Sequence, residues 1–219
     1  MGRTRLRFFD ENSEPVPRRI ATGLHKLGLA MKQQTWLQAA EDGLSPTQGQ
    51  ILAALAAGAA LTATDLSQQL GVTLPTVSDS VRVLVDKGLV ERRPDPRHPR
   101  ASLLGLTAPG RAQAARARSW PEFLATAVSA MSEPEQAAFL LGLVKMIRAL
   151  QESGQIPVNR MCVTCTHFRP NVHEGRLPHH CAFVDAPMAA HHLRLDCGEH
   201  VEAPEADRAA TWARFLTPG

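Results

Sequence analysis

The first 161 residues contain no cysteine, which excludes a disulfide framework for three quarters of the chain. No apolar run approaches the roughly 20 residues of a membrane span, so no membrane partner is expected. The segment Met1 to Asp10 carries arginines but no apolar stretch and no cleavage site, so it does not read as a signal peptide. Without secretion, cysteines serve as metal ligands or reduced thiols, and the expected compartment is the cytoplasm. Internal repeats are lacking. So are a Ser/His/Asp arrangement, a paired-carboxylate motif and a phosphate loop, and no enzymatic activity is expected. Lysine is scarce: Lys26, Lys32, Lys87 and Lys145 are the only four among 24 basic residues. The arginine excess has a bland source in GC-rich coding, so position carries more than count.

What is present reads mainly as helix. After a polar segment, 1–16, a helix is expected from about Pro17, with Ile20, Leu24, Leu27 and Met31 on one stripe. Ser45-Pro46-Thr47-Gln48 is a capping box with proline at the first helical position. Thr62-Ala63-Thr64-Asp65 is a second box, opening a short helix that ends at Gly71. Thr73 caps a further helix to about Lys87, with Val77, Val81 and Leu84 inward. Strand candidates 89–93 and 101–106 flank a loop rich in proline and arginine. One helix is then predicted from Thr107 to about Met131, and another from Ser132 until Gly154 and Pro157. The remainder is loop-rich, with a final amphipathic helix over 204–216.

The two short helices joined through Gly71 form a helix-turn-helix pattern. The second leaves Thr73, Thr76, Ser78, Asp79 and Arg82 facing outward, with Pro75 in its first turn. Small hydroxyls there can approach base edges, and a helix N-terminus favours phosphate. The hairpin that follows carries Arg92, Arg93, Asp95, Arg97 and Arg100. A basic hairpin beside a recognition helix is a winged helix, and the expected partner is a double-stranded DNA operator.

Thr76-Val77-Ser78, Asp86-Lys87-Gly88-Leu89-Val90-Glu91-Arg92, Asp95-Pro96-Arg97, Leu103 to Leu106, Thr107 and Gly110 together resemble the MarR family of bacterial regulators, over roughly residues 20–150. The resemblance implies a homodimer in which the first helix and the two helices after the wing form the interface. It implies two recognition helices reading a pseudo-palindrome, and Asp95 bracing the wing through Arg97. One departure stands out. The family commonly has a basic residue at the position of Asp79 and an acidic one at that of Arg82. Here Asp79 either reads a cytosine amino group or pairs with Arg82.

All four cysteines and seven of the nine histidines lie between Cys162 and His200. Cys162-Val163-Thr164-Cys165 is a CxxC pair; Cys181 and Cys197 follow at equal intervals of fifteen intervening residues. A CxxC loop presents two sulfurs to one metal site. The readings are a zinc ion on Cys162, Cys165, Cys181 and Cys197, with His200 as an alternative ligand, an iron–sulfur cluster on the same thiolates, or free thiols. A bound metal is favoured, because a loop-rich segment of this size buries too little core to order itself. Zinc is placed ahead of iron–sulfur because histidines are abundant nearby. His167, His173, His180 and His191 read as surface or supporting groups.

The expected fold class is mainly α (α+β): a winged helix-turn-helix with long dimerisation helices, plus a small metal-organised C-terminal module. The expected division is 1–16 as a flexible tail, 17–152 as the DNA-binding and dimerisation domain, and 153–219 as the Cys/His-rich extension. The expected function is sequence-specific transcription regulation as a homodimer, modulated or stabilised by the metal site and open to a small-molecule or redox effector. Alternatives are an iron–sulfur redox or iron-sensing regulator, a winged-helix adaptor that binds protein only, and a metalloenzyme, which would need an open metal position.

Overall fold

The computed structural model describes residues 8–57, 60–96, 101–158 and 160–217. Its elements are α1 (Phe8–Asn12), α2 (Val16–Glu41), α3 (Pro46–Leu55), α4 (Ala63–Leu70), α5 (Leu74–Asp86), β1 (Val90–Pro94), β2 (Ser102–Leu106), α6 (Ala108–Ser119), α7 (Glu122–Val128) and α8 (Glu133–Glu152). The C-terminal extension adds β3 (Phe168–Arg169), β4 (His179–Cys181), β5 (Ala186–Met188) and α9 (Glu205–Leu216), with single 3-10 turns at Cys162–Thr164 and Ala190–His192. Among the described residues the fold is mainly helical with two small antiparallel sheets. Among the described residues, no helix is long and apolar enough to cross a membrane.

Local chemistry starts the helices where the caps predict. The Ser45 hydroxyl accepts from the Gln48 amide and the Gln48 side chain accepts from the Ser45 amide. Thr62 and Asp65 repeat that exchange at α4. At α8 the Ser132 hydroxyl and amide both donate to Glu135, holding its carboxyl below the ordinary glutamate value. Gly71 ends α4 with φ of 64°, a left-handed conformation that turns the chain into α5.

Helix α3 is the hub, touching α2, α4, α5, α6 and β2. Ile51, Leu52, Leu66, Val77, Val81 and Leu84 are fully buried around it. Each such side chain contributes up to about 1.5–3 kcal/mol. Gly49 on α3 lies under the ring of Trp120, where a Cβ would fall 2.0 Å from the indole. Leu61 accepts from the Leu104 amide at 2.8 Å, joining the approach to α4 to the inner strand of the wing.

Two expectations are revised. The helix predicted from Thr107 to Met131 is broken into α6 and α7 at Trp120-Pro121. Proline has no amide to donate and its ring crowds the carbonyl one turn back, so the Ala117 carbonyl accepts from the Trp120 amide instead. Within the segment read as a tail, Phe8–Asn12 is helical; residues 1–7 lie outside the described residues.

The extension is not built on loops alone. Met161, Val163, Phe168, Met188, Leu193 and Phe215 form one apolar cluster together with Val144 of α8. Phe168 meets Phe215 edge-on at 5.9 Å, and Trp212 stacks on Phe215 at 5.5 Å. Val144, with Leu140, Leu141 and Ile147 beside it, is the share of this core that α8 supplies, and it fixes the extension against the long helix.

Candidate functional site

Helix α5 divides cleanly into two sides. Val77, Val81 and Leu84 have no exposed surface. Thr73, Pro75, Thr76, Ser78, Asp79 and Arg82 are all exposed, as the periodicity predicts. The Thr73 hydroxyl accepts from the Thr76 amide at 3.3 Å and lies 2.8 Å from the Thr76 hydroxyl. That bond caps the N-terminus and fixes both hydroxyls on the outward side. Arg82 donates to Asp79 at 3.1 Å, with the two side chains 69% and 73% exposed. Of the two roles open to Asp79, pairing with Arg82 is the one adopted here. An exposed pair of this kind is worth no more than about 1 kcal/mol, so it can open when a stronger partner approaches.

Leu74 was not foreseen as a site residue. Its phase matches Val77, Val81 and Leu84, which argues for burial, yet it is 45% exposed. It occupies the first turn of α5, beyond the end of the core. An exposed leucine among small hydroxyls suits contact with a thymine methyl group.

The wing pairs Val90 with Leu106 through Pro94 with Ser102. Arg92 and Arg93 are exposed on β1, and Arg93 bonds Glu91. Asp95 is 3% exposed, and its amide donates to the Ala101 carbonyl at 3.2 Å, closing the base of the loop. Arg97 and Arg100, and with them the Asp95–Arg97 brace, lie outside the described residues.

Cys162, Cys165, Cys181 and Cys197 are free thiols, each half-buried, and all four line one cavity of about 300 Å³. Three backbone segments bring them together. Cys162 and Cys165 flank the first 3-10 turn, where the Cys165 amide donates to the Cys162 carbonyl. Cys181 is delivered by the β3–β4 register, opposite Phe168. Cys197 is held by its amide donating to the Arg160 carbonyl at 2.9 Å. The Arg194 amide donates to Cys162 Sγ at 3.2 Å, and its guanidinium to Cys197 Sγ at 3.9 Å. Burial pushes the Cys162 thiol above its ordinary value; the Arg194 amide opposes this, and the other three thiolates add to the rise. Among the described residues, no three His, Cys, Asp or Glu side chains stand close enough together to hold a single metal ion.

The histidines divide differently from expectation. His200 bonds the Thr164 hydroxyl through Nε2 at 2.9 Å and does not line the cysteine cavity. Burial lowers its pKa first of all, with smaller opposing contributions from Glu202 and Thr164. His167 and His192 do line the cavity. His179 is a core residue between Phe168 and Phe215, its Nδ1 accepting from the Asn171 amide, and burial lowers its pKa.

The MarR family pattern matches residues 42–101. The Staphylococcus aureus MepR structure in a DNA-binding conformation is 30% identical, covering 60% of this chain and 98% of that one, with a TM-score of 0.54. The chain belongs to the MarR family. A structure of the S. aureus MepR–DNA complex is 31% identical over 60% of this chain and 98% of that one, with a TM-score of 0.52. The C80S mutant of Escherichia coli MarR shares the fold at 23% identity, covering 61% of this chain and 97% of that one, with a TM-score of 0.50. No curated protein matches the chain by sequence. MarR-family proteins are transcription regulators, not enzymes.

The family match ends at residue 101, and all four cysteines lie beyond it. The extension nevertheless meets the matched region. Asp65, Gln68, Gln69 and Leu70 of α4 form one wall of a cleft whose other wall includes Pro157, Val158, Arg160, Leu195 and Asp196. Arg160 and Asp196 form a salt bridge at 2.7 Å and stand two residues before Cys162 and one before Cys197. No local pattern signals this contact, because residues 87 to 131 positions apart meet only through the path of α8.

Proposed function

We propose that this MarR-family chain is a sequence-specific DNA-binding regulator that acts as a homodimer. The carrying observation is the outer side of α5: its hydroxyls and Arg82 are exposed, and the cysteine extension leaves them uncovered. The MepR–DNA complex, about a third identical in sequence, supports the same use of this region. Dimerisation is supported by α2. Ile20, Leu27 and Met31, on one stripe of the helix, are 43–55% exposed in the single chain. A second copy is the occupant that the family resemblance supplies.

We further propose that the four cysteines hold a metal and that the site modulates or stabilises the dimer. Two contacts support this coupling: the core shared with α8 and the cleft against α4. Either would pass a change at the thiolates to the spacing of the recognition helices.

The test selects duplexes from a random library and measures affinity against salt. Specific binding is expected, with log K falling linearly in log salt. Arg92→Ala and Arg93→Ala each lower the slope by about one per protomer with little change in sequence preference. Equal affinity for all duplexes, or protein binding with no duplex binding, would favour the adaptor reading.

Asp79→Ala makes a separate prediction. The carboxylate repels phosphate and holds Arg82, so its removal frees a cation at the interface. Non-specific affinity is expected to rise by about tenfold at low salt and the salt slope to steepen by about one per protomer. Unchanged binding in an anisotropy titration would place Asp79 away from the duplex.

A further inference from the structure

We propose that the cysteine cavity houses an iron–sulfur cluster of the four-iron type, each of Cys162, Cys165, Cys181 and Cys197 binding its own iron. The inference rests on the reading that these thiolates hold a metal, and it decides which one.

Size is the first argument. A zinc ion bonds sulfur at about 2.3 Å, so its donors must lie within about twice that distance of one another. Among the described residues, no group of three His, Cys, Asp or Glu side chains is arranged to hold a single metal ion. The four thiols instead surround a cavity of about 300 Å³, the liquid volume of about ten waters. A cluster places its thiolates at separate corners, so the sulfurs stand farther apart and the middle of the site is filled by iron and sulfide.

Chemistry is the second. A cluster with four thiolates is anionic, and N–H donors to sulfur help set its stability and potential. Arg194 provides both kinds of donor: its amide to Cys162 and its guanidinium to Cys197. Phe168, Ala186, Pro187 and Met188 give the wall an apolar side that shields such a group from water, while His167, His192 and Glu199 complete the lining. His200, the expected nitrogen ligand, is engaged with Thr164 and stands outside the lining; His167 and His192 line the cavity, yet among the described residues they form no three-donor group with the thiols. On assembly the four thiols lose four protons as four iron–sulfur bonds form; the irons and the bridging sulfides come from outside the chain.

The full chain, purified without oxygen, should contain about four irons and four acid-labile sulfides, with broad visible absorption that dithionite bleaches. Zinc at about one per chain without labile sulfide would overturn the cluster while leaving the thiolate metal site intact. Protein without metal that also fails to take up iron and sulfide in anaerobic reconstitution would overturn both. Cys181→Ser should lose most of the iron and sulfide; a variant retaining all of both would remove Cys181 from the ligand set. Should Cys181→Ser fail to fold, Arg194→Ala serves in its place. It keeps the backbone donor and all four ligands, so full iron is expected with a shifted reduction potential, and an unchanged potential would overturn the assigned contact. These measurements read iron, sulfide and potential, so they stand apart from operator binding.

Discussion

A glutamate at Leu27 is expected to leave the winged helix folded, render the chain monomeric and weaken operator binding by a hundredfold or more. Leu27 sits mid-way along α2, 44% exposed in the single chain, between Ile20 and Met31 on the same stripe. If a second copy covers that stripe, Leu27→Glu buries an unpaired carboxylate, at a cost of several kcal/mol per protomer. The affinity loss follows from valence. A dimer binds its second half-site at an effective concentration set by its own geometry, and the gain over a single contact is on the order of 100- to 10,000-fold. Sedimentation equilibrium and an anisotropy titration read the two effects separately. A Leu27→Glu chain that stays dimeric with unaltered affinity would mean that the stripe faces water, where such a change costs within about 0.5 kcal/mol.

Trp120→Ala is expected to cost about 3–5 kcal/mol in chemical denaturation, a large fraction of a domain's whole stability. Trp120 is 7% exposed and fills the space above Gly49, which joins α3 to the end of α6. Its Nε1 donates to Asp42 Oδ2 at 3.1 Å, and Asp42 also accepts from Arg116 Nε at 3.0 Å. One indole therefore holds together the C-terminus of α2, the hub helix and the exit from the wing. Truncation opens a cavity and removes a donor from a carboxylate that is 16% exposed. Trp120→Phe keeps most of the volume and leaves Arg116 in place, so a loss near 1 kcal/mol is expected. A loss below about 1 kcal/mol for Trp120→Ala would show that the junction relaxes around the gap.

The winged helix was legible because its signals are short-range. Ser45 with Gln48, Thr62 with Asp65 and Thr73 with Thr76 each close a hydrogen bond across three residues, and each helix begins where its cap stands. The exposure of Leu74 has the converse reason. Periodicity reports the side of a helix, not whether anything packs at its end, and the core stops one turn short of it. The apolar stripe of α2 was legible as a stripe, while its bareness in one chain was not. Pro121 could have been read from the sequence as the break between α6 and α7, since it lies within the predicted helix.

Which groups are available could be read residue by residue: the outward hydroxyls of α5, the arginines of the wing, and four thiols with no others in the chain. Their nature and spacing are covalent facts, and the caps that position the helices act within a single turn. Where the thiols converge depends on long-range packing. The register of Phe168 with Cys181, the Arg160–Asp196 bridge and the cluster on Val144 bring three distant segments around one cavity, with α4 close beside the extension. Contacts between residues tens of positions apart depend on the whole packed arrangement, which no local pattern encodes.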